Sequence, residues 1–196
     1  MTTKNNRTPG RPRKFDAEQA VEIAQHLFHS KGYDALSVAD LTKAFGINPP
    51  SFYAAFGSKL GLYERVLARY SCSGAIPFEV LLREDRPVAQ GLIGVLKEAA
   101  RRYVADPVAT GCLVLEGTHC NDQQAREAAC ELHNAAEDQI RAFIARRYPD
   151  DAGRVTDFMV TMMAGLSIKA RAGHSLDRLQ ETVRLSGLVL EQLLPD

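Results

Sequence analysis

No run in the 196 residues approaches the roughly 20 consecutive apolar positions of a membrane span, and the polar, basic start lacks the apolar centre of a signal peptide. A cytoplasmic protein without a membrane partner is expected. Cysteine is sparse. Cys72, Cys112, Cys120 and Cys130 show neither CxxC spacing nor the density of a disulfide scaffold, so reduced thiols are the default. Nothing alternates with period two over a strand length, so an all-α chain is expected. Internal repeats are missing, and so is low complexity after the first 14 residues. No glycine-rich phosphate loop appears, and no nucleophile, base and orienter lie at legible spacing. Neither an enzyme nor a cofactor is expected. Net charge is zero, which removes the simplest argument for nucleic acid.

The charge is nonetheless uneven. Residues 1–70 hold 10 Lys or Arg against 6 Asp or Glu, and residues 71–196 hold 14 against 18. Most of the basic excess sits in residues 1–14, which include Lys4, Arg7, Arg11, Arg13 and Lys14 and no acid. Such a run reads either as a solvated tail or as an arm reaching a minor groove. The stretch Gly10-Arg11-Pro12-Arg13 resembles the core of an AT-hook, in which arginines lie along a narrow A·T groove. Arg11 and Arg13 are therefore candidate DNA contacts.

Residues 37–59, SVADLTKAFGINPPSFYAAFGSK, carry the strongest pattern. Ser37 suits an N-cap with Asp40 in the first turn, and Val38, Leu41 and Phe45 share one helical face. Gly46 then supplies a residue tolerant of positive φ. Asn48 can cap a second short helix whose first turn holds Pro49 and Pro50, where a missing N–H costs least, although Pro49 can itself serve as the cap. Phe52 and Phe56 form the inner face. Two short helices around a glycine turn spell a helix-turn-helix.

Asp16 with Gln19 starts an earlier helix through Ala20, Val21, Ala24, Leu27 and Phe28, ended by Lys31-Gly32. Ser58 caps a fourth helix through Leu62, Val66 and Tyr70. Four domains of organisation follow: an arm at 1–14, a helix-turn-helix head at 15–57, a connecting helix at 58–70 and a C-terminal helical domain at 71–196. In the last, beyond punctuation at 74–87, helical patterns run over 88–105, 122–148, 155–172 and 176–194, with a short apolar piece at 111–118.

The head resembles the TetR/AcrR family of transcriptional regulators in its helix-start Ser37, turn Gly46 and ending Tyr53, Phe56 and Lys59. INPPSFYAAFGSK and the GCL at Gly111 look like a ComR-like subgroup. Thr42 and Leu60 depart from the pattern, standing where a small Ala and an acid are common. A recognition helix places its N-terminal residues at base edges while neighbours clamp phosphates. On that logic Asn48, Pro49, Pro50 and Ser51 face bases, with capping the alternative for Asn48. Tyr53 points outward, and the resemblance implies a phosphate contact for it. Lys59 sits in a helix's first turn, where a cation opposes the dipole, so a phosphate explains it better. Ser37 offers its N–H or hydroxyl to phosphate, with N-capping alone as the alternative.

The last two helices offer Phe158, Met162 and Leu166, and Leu179, Val183 and Leu190, as a dimer interface or as stripes on their own subunit's core; the resemblance favours the homodimer. The remaining helices enclose a small-molecule effector pocket lined by Tyr103, Cys112, Leu113, Leu115 and Phe143. His119, Cys120, Cys130 and His133 are the rival, as soft metal ligands, but buried cysteines usually act as small apolar groups and no metal is expected. The function expected is a ligand-responsive, DNA-binding transcriptional repressor released from a palindromic duplex operator. A helical ligand-binding or scaffold protein without DNA binding is the alternative.

Overall fold

The computed structural model describes residues 15–195, so the arm with Arg11 and Arg13 lies outside the described residues. Among these residues the chain is all α, running α1 (Ala17–Lys31), α2 (Val38–Phe45), α3 (Pro49–Phe56), α4 (Lys59–Ser73), α5 (Phe78–Leu81), α6 (Val88–Tyr103), α7 (Leu113–Gly117), α8 (Gln123–Ala145), α9 (Ala152–Arg171) and α10 (Leu176–Leu193). No helix among them is long and apolar enough to cross a membrane.

Local chemistry dictates the head. Asp16 accepts from the N–H groups of Glu18 and Gln19 and starts α1, which Gly32 ends at φ +80°. Ser37 and Asp40 form a reciprocal capping box on α2, and Gly46 closes it in the left-handed region at φ +69°. Fully buried Phe28, Leu41 and Phe52 and nearly buried Phe56 then close one core, each such side chain contributing ~1.5–3 kcal/mol of burial. Thr42 is buried without difficulty, its hydroxyl donating to the Ala39 carbonyl at 3.0 Å. Leu60 packs against the same core, which accounts for an apolar group where an acid is common.

The head's core does not stop at residue 70. Leu113, Cys120 and Ala125 from α7, the α7–α8 turn and α8 belong to it. The crossing is close: a Cβ on Gly117 would meet Ala129 Cβ at 2.7 Å and the Tyr63 hydroxyl closer still. Around it, Tyr33 stacks on Phe28 at 5.7 Å between ring centroids and meets Tyr63 edge-on at 4.9 Å. Tyr33 also donates to Asp122 at 3.3 Å, while Asp34 accepts from the Asn121 N–H at 2.7 Å.

The body forms a second core in which α6 lies against α9 and α10, with Leu92, Val95, Leu96, Val155, Met159 and Leu190 fully buried. One element differs from expectation. The stretch 74–87, read as punctuation, contains α5, a single turn whose Pro77 start makes no side-chain cap bond. Packing of Phe78 into the body core holds it there.

Candidate functional site

Two features of the described residues offer surface to an outside partner: the outer face of α3 and a cavity in the body.

On α3, Asn48 settles the register. It is the N-cap, with Pro49 and Pro50 in the first two helical positions, and its Oδ1 accepts from the Ser51 N–H at 2.9 Å. One lone pair of that oxygen and the NH2 group are left for an outside partner. Asn48, Pro49, Pro50, Tyr53 and Ala54 are exposed and Ser51 is half-buried, above buried Phe52 and Phe56. Tyr53 is 52% exposed, with its ring edge-on to Phe52 at 5.5 Å. A large aromatic held outward by a buried neighbour presents a rigid hydroxyl.

Two residues near this face have partners within the chain. Ser37 makes the N-capping interaction offered as its alternative: its N–H and its hydroxyl both donate to Asp40 Oδ2, at 2.9 and 2.5 Å. The hydroxyl's bond, the larger effect, and that of the N–H hold the Asp40 carboxyl below the usual carboxylate range. Phosphate is not the sole reason for Lys59. Its Nζ lies 3.8 Å above the centre of the Tyr33 ring, a cation–π contact that compensates for the dipole. Burial lowers its pKa, and the carboxylates of Asp34 and Asp122 oppose that shift.

In the body, a cavity of about 250 Å³ opens between α4, α6, α7 and α8 above α9. Tyr103, Cys112 and Leu115 line it as expected, but Leu113 and Phe143 do not. Leu113 is turned into the head's core. Phe143 faces α6, where a Cβ on Gly91 would meet its ring at 3.0 Å. Periodicity passed over Tyr70, Ile76 and Phe78, which also line the cavity. The stripe Leu62, Val66, Tyr70 on α4 leads to the first of them.

The cavity wall is tied to the head at the segment before α7. His29 Nε2 on α1 donates to the Gly111 carbonyl at 3.0 Å, and Ser167 Oγ on α9 accepts from the Cys112 N–H at 3.0 Å. Burial, the larger cause, and the Arg171 guanidinium lower the His29 pKa against the pull of the Gly111 carbonyl, which keeps the ring neutral near pH 7.

The metal rival finds no cluster. Among the described residues no three His, Cys, Asp or Glu side chains are placed to hold an ion. His119 Nδ1 is bonded to the Thr118 hydroxyl at 2.8 Å, and the Cys120 thiol donates to the Asp122 carbonyl at 3.5 Å. His133 lies apart, at the cavity.

The interface stripe also needs correction. Leu166, Leu179, Val183 and Leu190 are 2% exposed or less, inside their own subunit's core, and Phe158 and Met162 pack partly buried against it. The most apolar stripe of each helix is used within the subunit, because α6 lies against both α9 and α10. The large apolar side chains that α9 and α10 leave outside are Ile168, Leu185, Leu188 and Val189, 42–65% exposed.

Comparison with known proteins gives these features a context. The family model for bacterial regulatory proteins, tetR family, matches residues 21–66. The chain is 53% identical over the full length of both chains to the HTH-type transcriptional repressor BdcR of Escherichia coli K12. It is 30% identical over 183 residues, 88% of this chain and 87% of the relative, to the repressor ComR of the same organism. Among solved structures it resembles a cysteine mutant of the TetR family transcriptional regulator CifR complexed with 26-bp double-strand operator DNA. That match has a TM-score of 0.81 and 30% identity, and covers 90% of this chain and 98% of the other.

Proposed function

The chain belongs to the TetR family of bacterial regulatory proteins, and from that premise we propose a homodimeric repressor that holds a two-fold duplex operator and releases it when a small molecule fills the body's cavity. The observation that carries this reading is α3 itself. An eight-residue helix with its apolar residues turned inward presents Asn48, Pro49, Pro50 and Tyr53 outward, the arrangement that enters a major groove end-first. Asn48 and the prolines read base edges, the latter through thymine methyl contact. Ser51 and Tyr53 add base and phosphate contacts, and Lys59 adds phosphate attraction to its hold on Tyr33. The basic arm with Arg11 and Arg13 reaches the flanking minor groove.

Two heads require two subunits. The pairing surface proposed is the exposed row Ile168, Leu185 and Val189 rather than the buried stripes beside it. Release follows from the route between cavity and head. Tyr70 lines the cavity at the end of α4, the helix that begins three residues after α3. Cys112 lines it one residue from the carbonyl that His29 of α1 grips. A molecule seated against both displaces α4 and α1 together and changes the spacing of the heads.

Footprinting on genomic fragments captured by the full chain tests the proposal. Two protected half-sites about one helical turn apart, ~34–36 Å, are expected. A single asymmetric half-site at saturation sinks the dimeric reading, and failure to capture duplex at all sinks the DNA reading.

A further inference from the structure

The chemistry of the cavity says more than that something enters it. Its inner end holds two phenols and a thiol. Tyr103 is 2% exposed and Tyr70 7%. The Tyr70 hydroxyl donates to Cys112 Sγ at 3.7 Å, and Tyr103 lines the same cavity as Cys112. A thiol sulfur is a weak acceptor, so the Tyr70 donor is poorly matched. Burial raises the pKa of both phenols well above the ordinary tyrosine value, so both remain O–H donors across the physiological range. Two buried phenols, one of them bonded only to a weak acceptor, make a place for an acceptor oxygen.

Two charged groups of the cavity wall, Arg102 and Glu137, are already paired, and a third, Glu79, is exposed to solvent. Arg102 donates to Glu98 Oε1 at 2.6 Å and to the Gly74 carbonyl at 3.1 Å, and Glu137 accepts from Arg141 at 2.8 Å. Ile76, Phe78, Val114, Leu132, Ile140 and Met163 make up much of the rest of the wall. A carboxylate entering here meets no uncommitted buried cation, and an ammonium group seated at the inner end, away from exposed Glu79, meets the hydrogen ends of two phenols. Either charge loses its hydration without replacement. A volume of about 250 Å³ lies below the ~300–1,000 Å³ usual for drug-sized ligands, which favours a compact molecule.

We infer that the cavity takes a compact, uncharged, mainly apolar molecule bearing a hydrogen-bond-accepting oxygen, such as a ketone, ester or ether, seated with that oxygen between the Tyr70 and Tyr103 hydroxyls. The inference rests on reading the cavity as the effector site, and it adds the ligand's chemical class and orientation. Anchored there, the oxygen draws Tyr70 away from Cys112 and acts on α4 and the Gly111–Cys112 backbone at once.

Three probes of one shape test the class on the full chain: cyclohexanone, cyclohexanecarboxylate and cyclohexylammonium, each titrated at millimolar concentration by calorimetry and ligand-observed NMR. The ketone binds, and the two ions bind at least tenfold more weakly. Tyr103→Phe and Tyr70→Phe, which keep ring and packing, each weaken the ketone roughly five- to tenfold, with cooperative thermal unfolding retained as the control for folding. The class is overturned if either ion binds as tightly as the ketone, if the ketone fails to bind, or if both Phe variants bind it unchanged. A ketone that binds through the tyrosines yet leaves affinity for captured operator DNA unaltered overturns the effector reading and leaves the class standing.

Discussion

In the head, every helix begins on a side chain that bonds its first turn: Asp16, Ser37, Asn48 and Ser58 cap α1 to α4. In the body only α8 does, through Asp122, while α5, α6, α7, α9 and α10 start without a side-chain cap bond. Length makes the cap matter most in α2 and α3. α2 and α3 have eight residues each, too few to repay the nucleation of a helix in water, so their free N–H groups need local partners. The long body helices of 16 to 23 residues are instead fixed by the neighbours they bury. The head holds short elements in place by hydrogen bonds and aromatic contacts, and the body by extended apolar stripes.

The harshest way to break this contrast is to remove one fully buried side chain from each core. Phe52→Ala should cost ~3–5 kcal/mol and Met159→Ala ~2–5 kcal/mol by chemical denaturation. Because Leu113, Cys120 and Ala125 close the head's core, calorimetry should show one transition for each variant, moved to lower temperature. A split transition in Phe52→Ala would mean that head and body unfold separately.

Caps provide a finer comparison. Ser37→Ala should lose about 0.5–2 kcal/mol, and Ser175→Ala, at an N-cap that makes no side-chain bond, less than about 0.5 kcal/mol. Equal losses in urea titrations would show that capping does not separate the two regions. Acid sharpens the same pair. The bonds from Ser37 depress the folded-state pKa of Asp40, so the stability they give is fully present above the unfolded value near ~3.9 and is lost as pH falls through the lower folded value. The Ser37→Ala deficit should therefore hold from neutral pH down to about 4 and shrink below it; a deficit independent of pH would uncouple the cap from the carboxylate.

Lys59 gives a further small effect. Lys59→Gln removes the contact with Tyr33 and should cost ~0.5–1 kcal/mol. If the lysine also meets a phosphate, the salt dependence of operator binding should drop by about one unit. A lost contact with an unchanged slope assigns the residue to Tyr33 alone.

The same contrast sets how much could be read without coordinates. A cap, a glycine turn and a helical face are written in consecutive residues, which is why Asp16, Ser37, Gly46 and Ser58 are legible in place and Asn48 to within one position. Amphipathic periodicity reports that a face is buried and not by what. That is why Leu166, Leu179, Val183 and Leu190 suggest a subunit contact and prove to be core, and why Leu113 and Phe143 suggest a pocket and face elsewhere. The single turn α5 leaves no periodic trace, because four residues do not complete one. The Lys59–Tyr33 contact joins residues 26 positions apart, beyond any local rule.

Because the head's core is completed by Leu113, Cys120 and Ala125, head and body are not interchangeable cassettes. Transplanting residues 15–70 onto another regulator's body leaves an open seam unless 111–125 travel with them, and that stretch brings Cys112 of the cavity wall along. A head moved between bodies therefore carries a piece of the cavity wall with it, and under the proposed function operator and effector preference would move together.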